Sequence, residues 1–166
     1  MVDMYIKVYK NTALVRALRI ADALCVLSSL ILFSLLCVQS FTVGLVSLVK
    51  LLFAAGIPFV FVSVFRRLLN APRPYELYDF HSLGLPVPRS GKGCSFPSRH
   101  AFSAALIAVL SFSLHPAAGV IGAFCALLVA LSRAVRGIHF VRDVVVGLVS
   151  GGACGAIGVF AFFGGF

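Results

Sequence analysis

The sequence predicts an all-α protein, an integral membrane helical bundle of about five transmembrane helices. Three observations carry that prediction. The chain of 166 residues is 61% hydrophobic and only 11% charged, with a mean hydropathy of +1.08, whereas a soluble domain carries about 25% charged residues. Its apolar stretches approach or exceed the roughly 20 residues that one helical crossing needs. The basic residues mostly flank these stretches, as they do at the ends of membrane spans. Length alone allows one domain, so residues 1–166 read as a single membrane-embedded unit.

Residues 1–19 are mixed, carrying Lys7, Lys10, Arg16 and Arg19, and read as an N-terminal interfacial segment. No small-residue cleavage site follows a short apolar core, so a cleavable signal peptide is not predicted. The first span covers about 20–38. Its helix is expected to begin earlier, near Thr12, because "NTALVRALRI" supplies a cap and good helix formers. Asp22 follows Arg19 by three residues, a spacing that predicts a local ion pair. The second span covers about 42–65; Lys50 has a stem long enough to snorkel, and Pro58 is expected to kink the helix.

The polar segment 66–97 follows, with five of the seven prolines and the acids Glu76 and Asp79. Nothing in it reads as a long helix. Its Tyr75, Tyr78, Phe80 and Phe96 read as interfacial anchors, with an acyl-chain entrance as the alternative. The third span, about 98–115, ends at His115-Pro116. The fourth, about 116–131, is short for a crossing, and the fifth covers about 140–163. Gly147, Gly151 and Gly155 recur every four residues on one face of that last helix, where small residues let another helix approach, within the bundle or in a dimer. The five cysteines lie mostly inside apolar runs, at no zinc spacing, and read as small hydrophobes.

With five spans, the N-terminus, the 66–97 loop and the 132–139 loop open on one side. That side carries every Lys and Arg except Lys50. The net charge of +9 therefore points to membrane topology or an anionic lipid, not to nucleic acid. The positive-inside rule places the loop side in the cytoplasm of a multi-pass protein of the cell membrane.

Three short stretches on that side could carry chemistry. In "SRAVRGIHFVRD", His139 and Asp143 share a helical face, and a carboxylate on one imidazole nitrogen leaves the other a better nucleophile. Arg133 closes the preceding helix. In "PSRH", Ser98 is a good N-cap at a helix start whose first N–H groups suit an anion, with Arg99 and His100 beside it. In "RRLLNAPRP", Arg66 and Arg73 have six residues between them, and arginine binds phosphate oxygens through a planar fork. Each alone has an ordinary reading: an ion pair, a capped helix, the basic end of a span.

Together the three resemble the motifs of the type 2 phosphatidic acid phosphatase superfamily: Lys, six residues, Arg-Pro; Pro-Ser-Gly-His; and Ser-Arg, five residues, His, three residues, Asp. The resemblance runs from Arg66 to about Gly158. It departs at Arg66, which stands in the lysine place, and at Arg99, which replaces glycine; the family's membrane members also commonly have six spans. The resemblance implies metal-independent hydrolysis through a phosphohistidine, without a cofactor. His139 would be the nucleophile, Asp143 its orienting partner and His100 the acid for the departing oxygen. Arg66, Arg73, Ser98, Arg99 and Arg133 would bind phosphate, and Arg99 would add a phosphate contact or anchor lipid headgroups. The implied substrate is an amphiphilic lipid phosphate within the membrane: phosphatidate, phosphatidylglycerophosphate or a polyprenyl phosphate or diphosphate. Two alternatives are a non-catalytic membrane binding or assembly protein and, more remotely, an oxidoreductase like the vanadium haloperoxidases that share the fold.

Overall fold

The structure is a computed structural model that describes residues 2–88 and 91–163. Met1, Arg89, Ser90 and residues 164–166, which belong to the predicted single domain and in the case of the middle pair to its 66–97 loop, lie outside the described residues. The described chain is helical, with no strand among the described residues. Its order is α1 (Val2–Lys10), α2 (Thr12–Val43), α3 (Leu45–Leu69), the single turn α4 (Pro74–Leu77), α5 (Arg99–Ser111), α6 (Pro116–Val135) and α7 (Val141–Phe163). The helix starts follow local chemistry. Asn11 Oδ1 accepts from Leu14 N at 3.0 Å to open α2, and His115 Nδ1 accepts from Ala117 N at 3.2 Å ahead of Pro116. Asn70 closes α3 in the left-handed conformation, with φ 39°.

Four helices, α2, α3, α6 and α7, are long and apolar enough to cross a bilayer. Their outward faces carry large apolar side chains such as Leu24, Ile57, Phe61, Val149 and Ile157, which suits hydrocarbon and would be a large exposed patch in water. The predicted fifth span, 98–115, is different. Its helix α5 has 13 residues, about 20 Å of rise at 1.5 Å per residue, short of a core about 30 Å thick. The reason is its position. Ala101, Phe102, Ala104, Ala105, Leu106, Ala108, Leu110 and Ser111 are all buried, because the body of α5 lies inside the bundle, with Arg99 and His100 exposed at its start.

The α5 helix packs most closely on α7, where the glycine stripe makes the approach possible. A Cβ on Gly151 would lie 2.1 Å from the Phe102 carbonyl oxygen, and one on Gly147 would lie 2.6 Å from that of Ser98. Gly155 faces Val109 and Leu106 in the same way. The stripe is thus occupied within the chain by α5. Beside it, Leu36, Leu51, Val62, Phe102, Leu106, Leu110 and Val159 form the main apolar core.

One end of the bundle gathers the start of α2, the end of α3, the start of α5, the end of α6 and the start of α7. There Ser132 Oγ donates to the Leu18 carbonyl at 3.0 Å, joining α6 to α2. Tyr75 and Phe80 are neither interfacial anchors nor the wall of an entrance. They are buried in a cluster with Tyr5, Tyr9 and Val15, with Tyr78 packed against it, so the polar loop has its own small core against α1. Phe96 is half-buried. Asp22 does not pair with Arg19; it meets Arg133 at 3.1 Å and Arg136 at 3.4 Å on α6. A buried carboxylate gains more from two enclosed guanidiniums than from one exposed neighbour.

The glycine contact yields a test. Gly151→Ala should lower the thermal midpoint of the detergent-solubilised protein, at a cost of about 1–3 kcal/mol for overpacking. Gly152→Ala, where a Cβ meets nothing within 4 Å, should leave it unchanged or raise it. Equal effects at the two positions would contradict the backbone contact.

Candidate active site

The gathered helix ends bring the three sequence motifs together. The "VRGIHF" turn leaves α6 through Gly137, whose φ of 66° suits glycine. A Cβ there would also lie 2.7 Å from Phe80. The turn is closed by Ile138 N and His139 N donating to the Arg133 carbonyl at 3.0 and 3.3 Å. His139 is consequently buried, 2% exposed. Asp143, fully buried in the first turn of α7, accepts from Phe140 N at 3.1 Å through Oδ2, the carboxylate half of a capping box. Its carbonyl accepts from Ser98 N at 2.8 Å, which ties the start of α5 to the start of α7.

His139 Nδ1 and Asp143 Oδ2 are 3.8 Å apart, an ion-pair distance too long for a direct hydrogen bond. Ser95 fills the difference. Its buried hydroxyl donates to Asp143 Oδ2 and stands 3.4 Å from His139 Nδ1. The Nδ1 edge is therefore engaged by Ser95 and Asp143, which leaves Nε2 as the nitrogen free for chemistry. Sequence reasoning missed Ser95. The one available signal was its place two residues before Pro97 in "GCSFPSRH", and nothing in that spacing says what a serine hydroxyl reaches.

The predicted phosphate-binding arginines divide into three kinds. Arg66 and Arg73 are buried and are held by carbonyls: Arg66 Nη2 donates to Cys94 O, and Arg73 Nε to Gly93 O at 2.8 Å. Glu76 braces that loop by accepting from Arg73 N at 2.9 Å and Gly93 N at 2.8 Å. Arg133 is held by Asp22, and its Nε is buried without a hydrogen-bond partner. Arg99 is exposed, its guanidinium 5.6 Å above the Phe59 ring.

Ser98 occupies the N-cap position of α5, but its side chain makes no capping bond. Its Oγ is buried without a partner, and its N–H is engaged by Asp143. The expected side-chain cap is thus corrected: the Ser98 hydroxyl accepts from none of the first α5 N–H groups, and the residue is held instead by its own N–H on the Asp143 carbonyl. His100 stands one residue into α5 with an exposed edge, and burial of part of its ring, together with the charges of Arg133, Arg99, His139 and Arg66, pushes its pKa down to about 3, so it carries a proton only when a bound anion offsets those charges. Chemically, the arrangement offers a buried imidazole, a second imidazole at the mouth, an orphaned hydroxyl and a ring of guanidiniums.

Burial pushes the His139 pKa below its ordinary value, and the Arg73 and Arg66 charges push the same way, while the Asp143 carboxylate opposes them. The sign follows directly. A lowered pKa keeps the imidazole neutral, and so nucleophilic, at a pH where a free histidine would already be protonated. In ¹⁵N-labelled protein the His139 ring should titrate with a midpoint below about 6.5, the unperturbed histidine value. A midpoint at or above that value would contradict the geometry.

The comparisons with known proteins come from one side only. No curated protein and no solved structure matches the chain. The sequence pattern of the PAP2 superfamily matches residues 47–164, a stretch that holds Arg66, Arg73, Ser98, His100, Arg133, His139 and Asp143 and leaves α1 and α2 outside. Covering well over half of the sequence, the match shows that the chain belongs to the PAP2 superfamily, whose members are generally phosphatases.

Proposed function

We propose that the protein is a metal-independent phosphatase of the cell membrane that hydrolyses a lipid phosphate ester or anhydride through a phosphohistidine. The observation that carries this reading is the buried His139, whose Nδ1 edge is engaged by Ser95 and Asp143, near the Arg66 and Arg73 guanidiniums, which backbone carbonyls hold. His139 Nε2 attacks phosphorus, and Asp143, with Ser95, stabilises the imidazolium that forms. Arg66, Arg73 and Arg133 take the charge developing on the phosphoryl oxygens, and the free Ser98 hydroxyl donates to one of them. His100 protonates the departing oxygen, a contribution of about 10²–10⁴-fold, and then accepts a proton from the water that cleaves the phosphoenzyme.

The acids near the site are engaged in other work. Asp22 holds Arg133 and Arg136, Glu76 holds loop amides, Asp79 accepts from Ser82, and Asp143 holds Ser95 and Phe140 N. Among the described residues no three His, Cys, Asp or Glu side chains gather as a metal site would need. The apolar outer faces and the placement of the site at one end of the bundle support an amphiphile whose phosphate lies at the membrane surface.

His139→Ala should abolish phosphate release from lipid phosphates in mixed micelles, and EDTA should leave the wild-type rate within about twofold. Retained turnover in the folded variant, or loss of wild-type activity with EDTA, would exclude the mechanism.

The site side is also proposed to be cytoplasmic, since every described Lys and Arg but Lys50 belongs to it. The C-terminal end of α7 is at the opposite end of the bundle, so an alkaline phosphatase fused after Phe166 should be active and a green fluorescent protein dark. The reverse pattern would invert the orientation.

A further inference from the structure

A second polar cavity lies at the same end of the bundle, between α1, α2 and the end of α6. Its volume is about 580 Å³, and Tyr9, Arg19, Asp22, Arg133, Arg136 and Ile138 are among the residues lining it. Tyr9, Arg19 and Asp22 come from outside the stretch that the PAP2 pattern matches, and neither His100 nor His139 lines the cavity. Arg133 belongs to both places. It lines this cavity, and its charge is the largest acting on His100.

The charges in its wall do not balance. Three guanidiniums face one carboxylate, a surplus of two positive charges. Arg19 is exposed and makes no ion pair among the described residues. Arg133 and Arg136 both reach Asp22 through a single oxygen, Oδ2, at 3.1 and 3.4 Å. The other oxygen, Oδ1, and Arg133 Nε are buried without a hydrogen-bond partner. The Arg133–Asp22 contact is thus made by Nη2 alone, and the forked pairing that would satisfy both orphans is not formed. The competing pull of Arg136 on the same oxygen accounts for this divided arrangement.

Guanidinium forks match the oxygens of a phosphate, and in a partly enclosed place their attraction for an anion exceeds its value in water. We propose that this cavity is a second anion site, which takes the phosphate oxygens of a lipid headgroup or of free inorganic phosphate on Arg19 and Arg136, and that filling it weakens phosphate binding at the catalytic centre. The coupling runs through Asp22. An anion on Arg136 draws that guanidinium away from Oδ2 and repels the carboxylate towards Arg133, where Oδ1 and Nε complete the forked pair. Arg133 is left with fewer donors and less charge for a phosphoryl group beside His139. The charge of the bound anion acts in the same direction. Reciprocally, a phosphate on Arg133 releases Asp22 to Arg136 and lowers the affinity of the cavity by the same factor. The binding stands by itself, and its effect on turnover rests on the proposed phosphatase reading.

Binding is read first, without turnover, on the full chain in an uncharged detergent. The probes are dioleoyl phosphatidylglycerol, counted by native mass spectrometry against dioleoyl phosphatidylcholine, and ³²P-labelled inorganic phosphate in equilibrium dialysis. Arg19→Gln and Arg136→Gln should each weaken a bound probe at least fivefold. Arg16→Gln removes the same charge from an exposed position one turn earlier on α2, outside the cavity, and should leave binding as it is. An effect of Arg19→Gln on the anionic lipid alone assigns the site to a headgroup, and an effect on phosphate alone assigns it to the free anion. No effect on either probe, or equal effects of Arg16→Gln and Arg19→Gln, overturns the site. The assigned probe should then raise KM for dioleoyl phosphatidate at least threefold in the wild type, towards a plateau, and less in Arg19→Gln. A KM that climbs without limit places the anion in the catalytic centre and overturns a separate site, while an unchanged KM overturns the coupling through Asp22. Absence of phosphate release from any lipid phosphate overturns the phosphatase reading and leaves the binding result standing.

Discussion

The closeness of the α5 and α7 backbones is the constraint from which the site follows. Gly147 and Gly151 lie against the Ser98 and Phe102 carbonyls, and no side chain could intervene at that distance without moving α5. The contact fixes two helix starts side by side, and the 2.8 Å bond from Ser98 N to the Asp143 carbonyl locks their register. Residues distant in sequence, His100 on α5 and His139 ahead of α7, thereby face one centre. The same constraint explains why α5 can be short. Enclosed by α2, α3, α6 and α7, it has no lipid face to match to the bilayer thickness, and its length answers to the site instead.

A second regularity is how the cations are held. Arg66 and Arg73 are positioned by the carbonyls of Cys94 and Gly93, which are dipoles that orient a guanidinium without cancelling its charge. Each guanidinium has five N–H donors, so one bond to a carbonyl leaves others for a ligand. Of Arg66, Arg73 and Arg133, Arg133 alone has a carboxylate partner among the described residues, and it shares Asp22 with Arg136. The result is a centre with a surplus of positive charge in a partly desolvated place, where an anion would gain more than in water. A structural salt-bridge network would have paired these charges off.

Much of this was legible in the sequence because the relevant signals were local or periodic. Composition and apolar run length give a helical membrane bundle, and the every-fourth glycine pattern identifies the helix face that another backbone approaches. The His139 and Asp143 spacing says that the two share a face. It does not say that their atoms stop at 3.8 Å and need a hydroxyl between them, so Ser95 was invisible. Long-range pairing was equally hidden. The Asp22 carboxylate has Arg19 a turn away, and only the packing of α6 on α2 reveals that it prefers Arg133 and Arg136, 111 and 114 residues further along. Run length also misjudges α5, since the residues after Ser111 are apolar enough to extend a span while Phe112–Leu114 turn towards His115.

The segments outside the PAP2 match bear on the site more than their position suggests. Tyr5 and Tyr9 of α1 enclose Phe80, and Phe80 in turn lies against Gly137, the turn that presents His139. Tyr9 Oη donates to the Arg136 carbonyl at 3.0 Å in that same turn. Asp22 of α2 restrains Arg133 from the other side. Each contact acts on the backbone or the guanidinium that the matched region supplies, so neither α1 nor α2 brings a reacting group. What they contribute is restraint: a buried imidazole is held in one place only if the turn bearing it cannot rotate, and here that turn is pinned on both flanks by residues the family pattern does not include.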